Sequence, residues 1–160
     1  MGEIMYNELL KKYLHELEAD KFLAEIKDPQ IRRTDYLKTP EGRSVLTRLI
    51  FEDNSLDDES KNPRVKRELS ELESIVEDCK NIGCIYEAIN NLVEIRKVMN
   101  PENQNYEVVQ NTIKRSAYRA YELSSGDGKI LISLCKKTSL PLGEILDYIT
   151  LQRKTKIANA

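Results

Sequence analysis

The sequence predicts an all-α protein, a bundle of six or seven helices that ends in a helical hairpin. Apolar residues make up 40% of the 160 positions and charged residues 32%, which is typical of amphipathic helices with solvated outer faces. Chain breakers are few, with 6 glycines and 5 prolines. Apolar side chains recur every three or four residues, and no segment alternates strictly as a half-buried strand does. Together these patterns favour helices throughout.

The first predicted helix runs from about Glu3 to Ile26. Leu10, Leu14 and Leu17 follow one another at helical spacing and predict its buried face. Asp28 should lie beyond its end, because a residue that precedes a proline is pushed out of the helical region.

A second helix is predicted to start at Thr39 and Pro40, since threonine is a good N-cap and proline fits the first helical position. Its apolar periodicity ends near Phe51. The stretch from Glu52 to Asn62 is rich in acids and predicts an exposed loop.

The longest periodic stretch runs from Asn62 to Met99 and forms the predicted centre of the bundle. Asn62 and Pro63 repeat the cap-and-proline pattern. A narrow apolar seam follows and resumes beyond Gly83. A glycine inside a helix costs about 1 kcal/mol relative to alanine, so one long helix and two helices hinged at Gly83 are both open.

The last third predicts one long helix and a hairpin of two short ones. Asn100 and Pro101 again predict a helix start, and the stripe that follows should end near Leu123. Residues 124–128 predict a loop. In the hairpin, inward-facing positions are expected at Ile130, Leu131, Leu134, Cys135, Leu142, Ile145, Leu146 and Ile149. Residues 150–160 form a basic tail. The predicted organisation is a bundle over residues 1–123, with residues 124–160 packed on the same core.

The predicted core combines the most regular apolar positions of all these segments. They are Leu10, Leu14, Leu17, Leu46, Leu49, Leu72, Val76, Ile85, Ile89, Leu92, Val109, Ile113, Leu134, Ile145 and Ile149.

Composition bounds the environment of the chain. The three cysteines are an odd, scattered set, which predicts reduced thiols and a cytoplasmic location. Cys79 and Cys84 are separated by about 140° on a continuous helix, so they would not share a face. No run of 18 apolar residues occurs, and no membrane association is expected. The net charge of −2 offers no general attraction to nucleic acid, so such binding would need a local patch.

One candidate patch combines cations with an aromatic ring. Its residues are Lys114, Arg115, Tyr118 and Arg119 on the predicted 105–123 helix, joined by Arg153, Lys154 and Lys156 of the tail. Such a surface can bind a phosphate backbone and stack a base on the tyrosine. The alternative, which is favoured, is a solvated face whose charges pair along the helix.

The C-terminal hairpin resembles a helix-turn-helix, with a turn in the stretch from Leu134 to Leu142. Its second helix would then enter a major groove. That helix carries Glu144 and Asp147, which repel phosphates. A plain hairpin packed on the core is therefore the preferred interpretation.

A second candidate site is the apolar seam at Val65, Leu69, Leu72 and Val76, which could receive a partner helix or be wholly internal. The only histidine, His15, has no nucleophile at a recognisable spacing. No Cys-x-x-Cys pair and no phosphate-binding glycine loop occurs. The sequence therefore predicts no catalytic residue, metal or cofactor, and no enzyme activity.

Two stretches resemble the α-helical domain of GINS proteins, the small subunits of the archaeal and eukaryotic replicative helicase assembly. The stretch from Tyr6 to Asp28 looks like the opening helix of that family. The stretch from Glu68 to Lys97 is similar to its long helix, which ends in an arginine and a lysine. The chain departs from the pattern at Pro29-Gln30-Ile31, where an aromatic pair is expected, and in a helical C-terminal third where the family has a β-domain. The resemblance implies a non-catalytic scaffold that bridges replication proteins.

The functional prediction is therefore a non-catalytic binding or assembly module, an accessory subunit of a replication complex or of another nucleic-acid-processing complex. Its expected partner is another protein subunit or a second copy of the chain. The alternative is a nucleic-acid-binding regulator of the helix-turn-helix type.

Overall fold

The structure is a computed structural model that describes residues 37–54 and 56–158. Six helices lie wholly within these ranges, and the described residues contain no strand. They are α1 (Pro40–Glu52), α2 (Asp58–Asp78), α3 (Ile82–Val98), α4 (Tyr106–Leu123), α5 (Gly128–Thr138) and α6 (Leu142–Ala158). The predicted all-α bundle is confirmed for this part. The helix predicted at Glu3–Ile26, its leucines 10, 14 and 17, and His15 lie outside the described residues.

Helix α1 begins as the sequence predicts. The hydroxyl oxygen of Thr39 accepts a hydrogen bond from the backbone N–H of Gly42 at 3.0 Å, and Pro40 opens the first turn. The helix ends at Glu52, one residue beyond the predicted position.

Helix α2 begins five residues earlier than the sequence predicts. The carboxylate of Asp57 accepts from the Ser60 N–H at 2.8 Å, and the first turn carries Asp58 and Glu59, whose charges favour a helix N-terminus. The predicted start at Pro63 is wrong, because an acidic cap precedes it. Pro63 instead lies inside α2, where it has no N–H for the carbonyl of Glu59. The predicted acidic loop shrinks accordingly.

The long central stretch is two helices, and the break lies ahead of Gly83. Cys79 leaves the helical conformation, with φ −73° and ψ 135°. The side-chain oxygen of Asn81 then accepts from the N–H groups of Gly83 at 3.0 Å and Cys84 at 3.3 Å. An asparagine cap therefore restarts the chain as α3, and Gly83 sits in its first turn.

Two further boundaries differ from the prediction. Asn100 and Pro101 begin a turn, in which the Asn100 side chain accepts from the Glu102 N–H at 2.9 Å, and the helix starts only at Tyr106. The basic tail predicted after residue 150 continues α6 as far as Ala158. The end of α4 at Leu123 is confirmed, and so is the loop predicted at 124–128 except for Gly128, which begins α5.

Helix α3 is central and packs on α1, α4 and α5, while α2 packs on α1 and α4. The hairpin of α5 and α6 lies against α4, and α5 also contacts α3. Every predicted core residue in the described ranges is at most 5% exposed, and all belong to one apolar cluster that includes the hairpin. No helix in the described ranges is long and apolar enough to cross a membrane.

Candidate functional site

Four of the seven predicted nucleic-acid-binding residues meet in one place, a cleft of about 330 Å³ between α2, α4 and α6. We call it the α4–α6 cleft. Its positive charges come from Arg115, Arg119 and Lys156, and its negative charges come from Glu77, Asp78 and Glu122. The lining is therefore balanced in charge.

Arg115 of α4 contacts the side of the cleft that α2 forms. Its guanidinium forms an ion pair with Glu77 of α2 and lies beside the Tyr148 hydroxyl of α6. Burial raises the pKa of Tyr148 above its ordinary value, and the guanidinium offsets part of that rise. Arg115 therefore joins three helices.

Arg119 closes the end of α2. Its Nε–H donates to the carbonyl of Cys79 at 3.0 Å, and its Nη1 lies 3.7 Å from the Glu122 carboxylate. A cation at the C-terminal carbonyls of a helix satisfies an unpaired acceptor and interacts favourably with the helix dipole. Its role in the structure is thus a cap for α2.

Tyr118 is inaccessible to a stacking base. Its side chain is 8% exposed, and its ring packs edge-to-face on Tyr148, with the centroids 6.3 Å apart. The ammonium of Lys156 lies 5.1 Å from the same ring centroid. The ring is thus occupied from within the chain.

The tail cations also find partners on α4. Lys156 Nζ lies 2.6 Å from the Glu122 carboxylate, and this hydrogen bond raises the pKa of the lysine. The guanidinium of Arg153 lies 5.4 Å from the ring centroid of Tyr121. Lys114 and Lys154 do not line the cleft, and neither forms an ion pair with a residue that the structure describes. The structure therefore brings together Arg115, Tyr118, Arg119 and Lys156, with their charges internally matched.

The hairpin has the geometry of two helices joined by a tight turn. Ser139 adopts the left-handed conformation, with φ 56° and ψ 31°, and Leu140 is buried in the turn. Residues 141–152 contain no lysine or arginine. The start of α6 therefore presents acids and leucines where a DNA-reading helix presents cations and amides.

The seam proposed for partner binding lies in the chain's own core. Its four residues, Val65, Leu69, Leu72 and Val76, are each 0% exposed. They pack between α2 and its neighbours α1 and α4. A partner has no access to them in this fold. Their burial agrees with the second alternative from the sequence, in which the seam is wholly internal.

An exposed apolar surface occurs instead on α6. The side chains of Leu142, Leu146, Leu151 and Ile157 are 46%, 41%, 58% and 77% exposed. We call these four residues, with the polar positions between them, the outer face of α6. Leu142, Leu146 and Ile157 lie along one edge of this region, and Leu151 lies along the other, about 140° around the helix from Leu146. The prediction that Leu142 and Leu146 point inward is wrong, because Ile145, Tyr148 and Ile149 already fill the contact with α4.

The sequence did not predict the outer face because the apolar residues at 142, 145, 146 and 149 follow the spacing of a single buried stripe. The signal that could have shown it is the continuation of apolar residues at 151 and 157, which lie off that stripe. Helix α4, on which α6 packs, has no large apolar side chain exposed to solvent.

A second open groove, of about 670 Å³, lies where α1 begins and α2 gives way to α3. Its lining includes Pro40, Ile75, Cys79 and Cys84. The two cysteines share this groove because the helix breaks between them, so the separation expected for a continuous helix does not apply. Burial raises the pKa of Cys84, and the nearby Cys79, Glu41 and Glu87 raise it further.

Comparison of the chain with family models, with curated proteins and with solved structures found no match.

Proposed function

We propose that this protein is a non-catalytic assembly module that binds another polypeptide through the outer face of α6. The single observation that carries the proposal is the set of four large apolar side chains exposed along one helix. Large apolar side chains that are exposed in a group on a folded domain, with polar residues around them, are one mark of a protein–protein contact site.

The chemistry of the face supports a protein partner over a nucleic acid. Leucine and isoleucine side chains gain free energy when they leave water, at about 25 cal/mol per Å² of buried apolar area. They offer nothing to phosphate oxygens, whereas Glu144 and Asp147, both exposed on α6, repel them. The helix-turn-helix alternative thus draws no support from the start of α6.

The narrower hypothesis is an accessory subunit of a replication complex or of another nucleic-acid-processing complex. It rests on the resemblance to GINS proteins. The first of the two similar stretches lies outside the described residues, and the second spans parts of α2 and α3, which are helical but separated by the break at residues 79–81. This hypothesis stays a prediction that the identity of a captured partner would test.

Site-specific photo-crosslinking tests the proposal. A photoreactive amino acid is placed at Leu146 or Leu151 in the full chain and irradiated in cells of the source organism. We expect protein adducts from both positions. Matched controls carry the same group at Lys66 and Glu71, exposed positions of α2. Adducts absent from α6, or equally abundant from α2, would overturn the proposal.

A further inference from the structure

We infer that Cys79 and Cys84 form a site of reversible oxidation, at which a low-molecular-weight disulfide such as oxidised glutathione converts the two thiols into one intramolecular disulfide. The bond spans the break between α2 and α3 and holds it in one geometry. The inference goes beyond the proposed function, because neither cysteine belongs to α6.

The break between α2 and α3 brings the two cysteines to one groove. On a continuous helix, residues five apart are separated by about 7.5 Å along the axis and about 140° around it, which is too far for the Cα separation of about 4.4–6.8 Å in a disulfide. The chain instead leaves the helical conformation at Cys79 and re-enters it after Asn81, which has φ −103° and ψ 104°. Both thiols then line the groove of about 670 Å³ where α1 begins.

One residue of the break, Asn81, contacts both cysteines. The Sγ atom of Cys79 lies 3.4 Å from the backbone nitrogen and 3.4 Å from the backbone oxygen of Asn81. The side-chain oxygen of the same asparagine accepts from the N–H of Cys84 at 3.3 Å. Its backbone oxygen accepts from the N–H of Ile85, also at 3.3 Å. The sulfur of Cys79 therefore lies against the first turn of α3, which is the turn that carries Cys84.

The two thiols are within reach of a small reagent. Both side chains are half-buried and line an open groove, and Lys80 and Gly83 between them are exposed. Cys135 is the third cysteine of the chain. It lies on α5, packs against the apolar core and does not line the groove. The fold thus distinguishes one pair of thiols from the remaining one.

The reaction is a two-step thiol–disulfide exchange. Burial raises the pKa of Cys84, so this thiol ionises less readily, and we assign the first attack to Cys79. Its thiolate attacks one sulfur of oxidised glutathione, the S–S bond breaks, and one glutathione leaves and takes up the proton that Cys79 gave up. The thiolate of Cys84 then attacks the Cys79 sulfur of the mixed disulfide and releases the second glutathione in the same way. Two protein thiols are oxidised, and one glutathione disulfide is reduced to two thiols.

Equilibration with glutathione tests the inference on the full-length protein. The reduced chain is incubated in mixtures of reduced and oxidised glutathione, free thiols are alkylated, and the products are mapped by mass spectrometry. We expect a product in which Cys79 is joined to Cys84 and only Cys135 is alkylated. The product ratio gives the effective concentration of one thiol at the other. It should be at least about tenfold higher in the folded protein than in urea, because only the fold holds both residues at Asn81.

Three variants and one stability measurement complete the design. Cys84→Ser should stop at a mixed disulfide on Cys79, and Cys79→Ser should react with glutathione more slowly than Cys84→Ser. Cys135→Ser is the matched control and should form the disulfide as the wild type does. Because the oxidation and unfolding equilibria form one cycle, the disulfide should lower the equilibrium constant of unfolding by the same factor of about ten, measured by urea denaturation of the oxidised and reduced proteins.

Glutathione adducts without a bond between Cys79 and Cys84 would overturn the inference, as would a disulfide from Cys135 in its place. An effective concentration no higher in the folded protein than in urea would also overturn it, because the spacing in the sequence would then account for the disulfide without the fold. Photo-crosslinking from α6 involves neither cysteine, so the outcome of that experiment and the outcome of this one are independent.

Discussion

One buried ion pair, between Arg43 of α1 and Glu68 of α2, shows how a single residue can affect the stability of the bundle. Glu68 is 3% exposed, and its carboxylate lies 2.6 Å from Arg43 Nη1. The Nε–H of Arg43 also donates to the carbonyl of Leu37 at 3.0 Å. A second cation, Arg67, lies 3.8 Å from the other carboxylate oxygen, but its side chain is largely in solvent. A buried carboxylate that loses its close partner keeps the cost of desolvation with only this weaker attraction to offset it.

Arg43→Met should therefore lower the free energy of unfolding by up to about 3 kcal/mol, the lower end of the range for a broken buried pair because Arg67 remains, measured by urea denaturation. Lys97→Met is the matched control, because Lys97 makes a 3.0 Å pair with Glu94 that is largely in solvent. We expect that change to cost under about 1 kcal/mol. Equal losses in the two variants would contradict this role of burial. Adding Glu68→Gln to Arg43→Met should recover part of the loss.

The helices and turns show how local chemistry sets element boundaries. Ser139, the residue that follows the last helical residue of α5, adopts the left-handed conformation, at φ 56°, where a side chain carries a steric penalty and glycine does not. Glycine is the usual residue at such a helix end. The turn between α5 and α6 thus holds a residue that its backbone does not favour.

Ser139→Gly should raise the free energy of unfolding by about 0.5–1 kcal/mol, because relief of the left-handed strain exceeds the entropy cost of glycine. The measurement is thermal unfolding followed by circular dichroism. Ser74→Gly, at an exposed position inside α2, serves as the matched control and should lower stability by about 0.5 kcal/mol. A destabilised Ser139→Gly protein would show that the serine side chain contributes contacts of its own.

For the whole molecule, the question is whether its cations are available to a polyanion. Arg115, Arg119 and Lys156 are paired within the chain, and the net charge is −2. Lys114 and Lys154 line no part of the cleft. We therefore expect binding to a generic DNA duplex to be weak at about 50 mM salt and lost by about 200 mM.

The double variant Lys114→Glu with Lys154→Glu should abolish the residual binding, measured by fluorescence anisotropy, without a loss of helicity. Arg119→Glu is the comparison: it removes the cap on the Cys79 carbonyl and should lower the unfolding temperature. Duplex binding that persists above about 200 mM salt would instead support the nucleic-acid-binding regulator.

Local patterns in the sequence were sufficient for the helical class of the described residues, for some helix boundaries and for most of the core. The start at Thr39 and Pro40 needs only a cap and a fixed φ angle, and the end near Leu123 needs only the loss of periodicity. The buried positions of α1, α3 and α4 follow from spacing, because a helix that repeats every 3.6 residues can bury only one stripe on a given neighbour.

Competing local caps and contacts between distant residues decided the rest. Pro63 and Pro101 carry the same signal as Pro40, but Asp57 and the turn after Asn100 displace the helix starts. From the sequence alone, Arg119 has no evident partner, because the carbonyl it binds belongs to Cys79, 40 residues earlier in the chain.

The two leucines Leu142 and Leu146 show the limit most directly. Their spacing places them beside Ile145 and Ile149, and only the position of α4 determines which side of α6 is buried. Periodicity identifies an apolar residue and its direction relative to its own helix. Whether that direction meets another helix or solvent depends on packing between segments far apart in the chain, which no local pattern records.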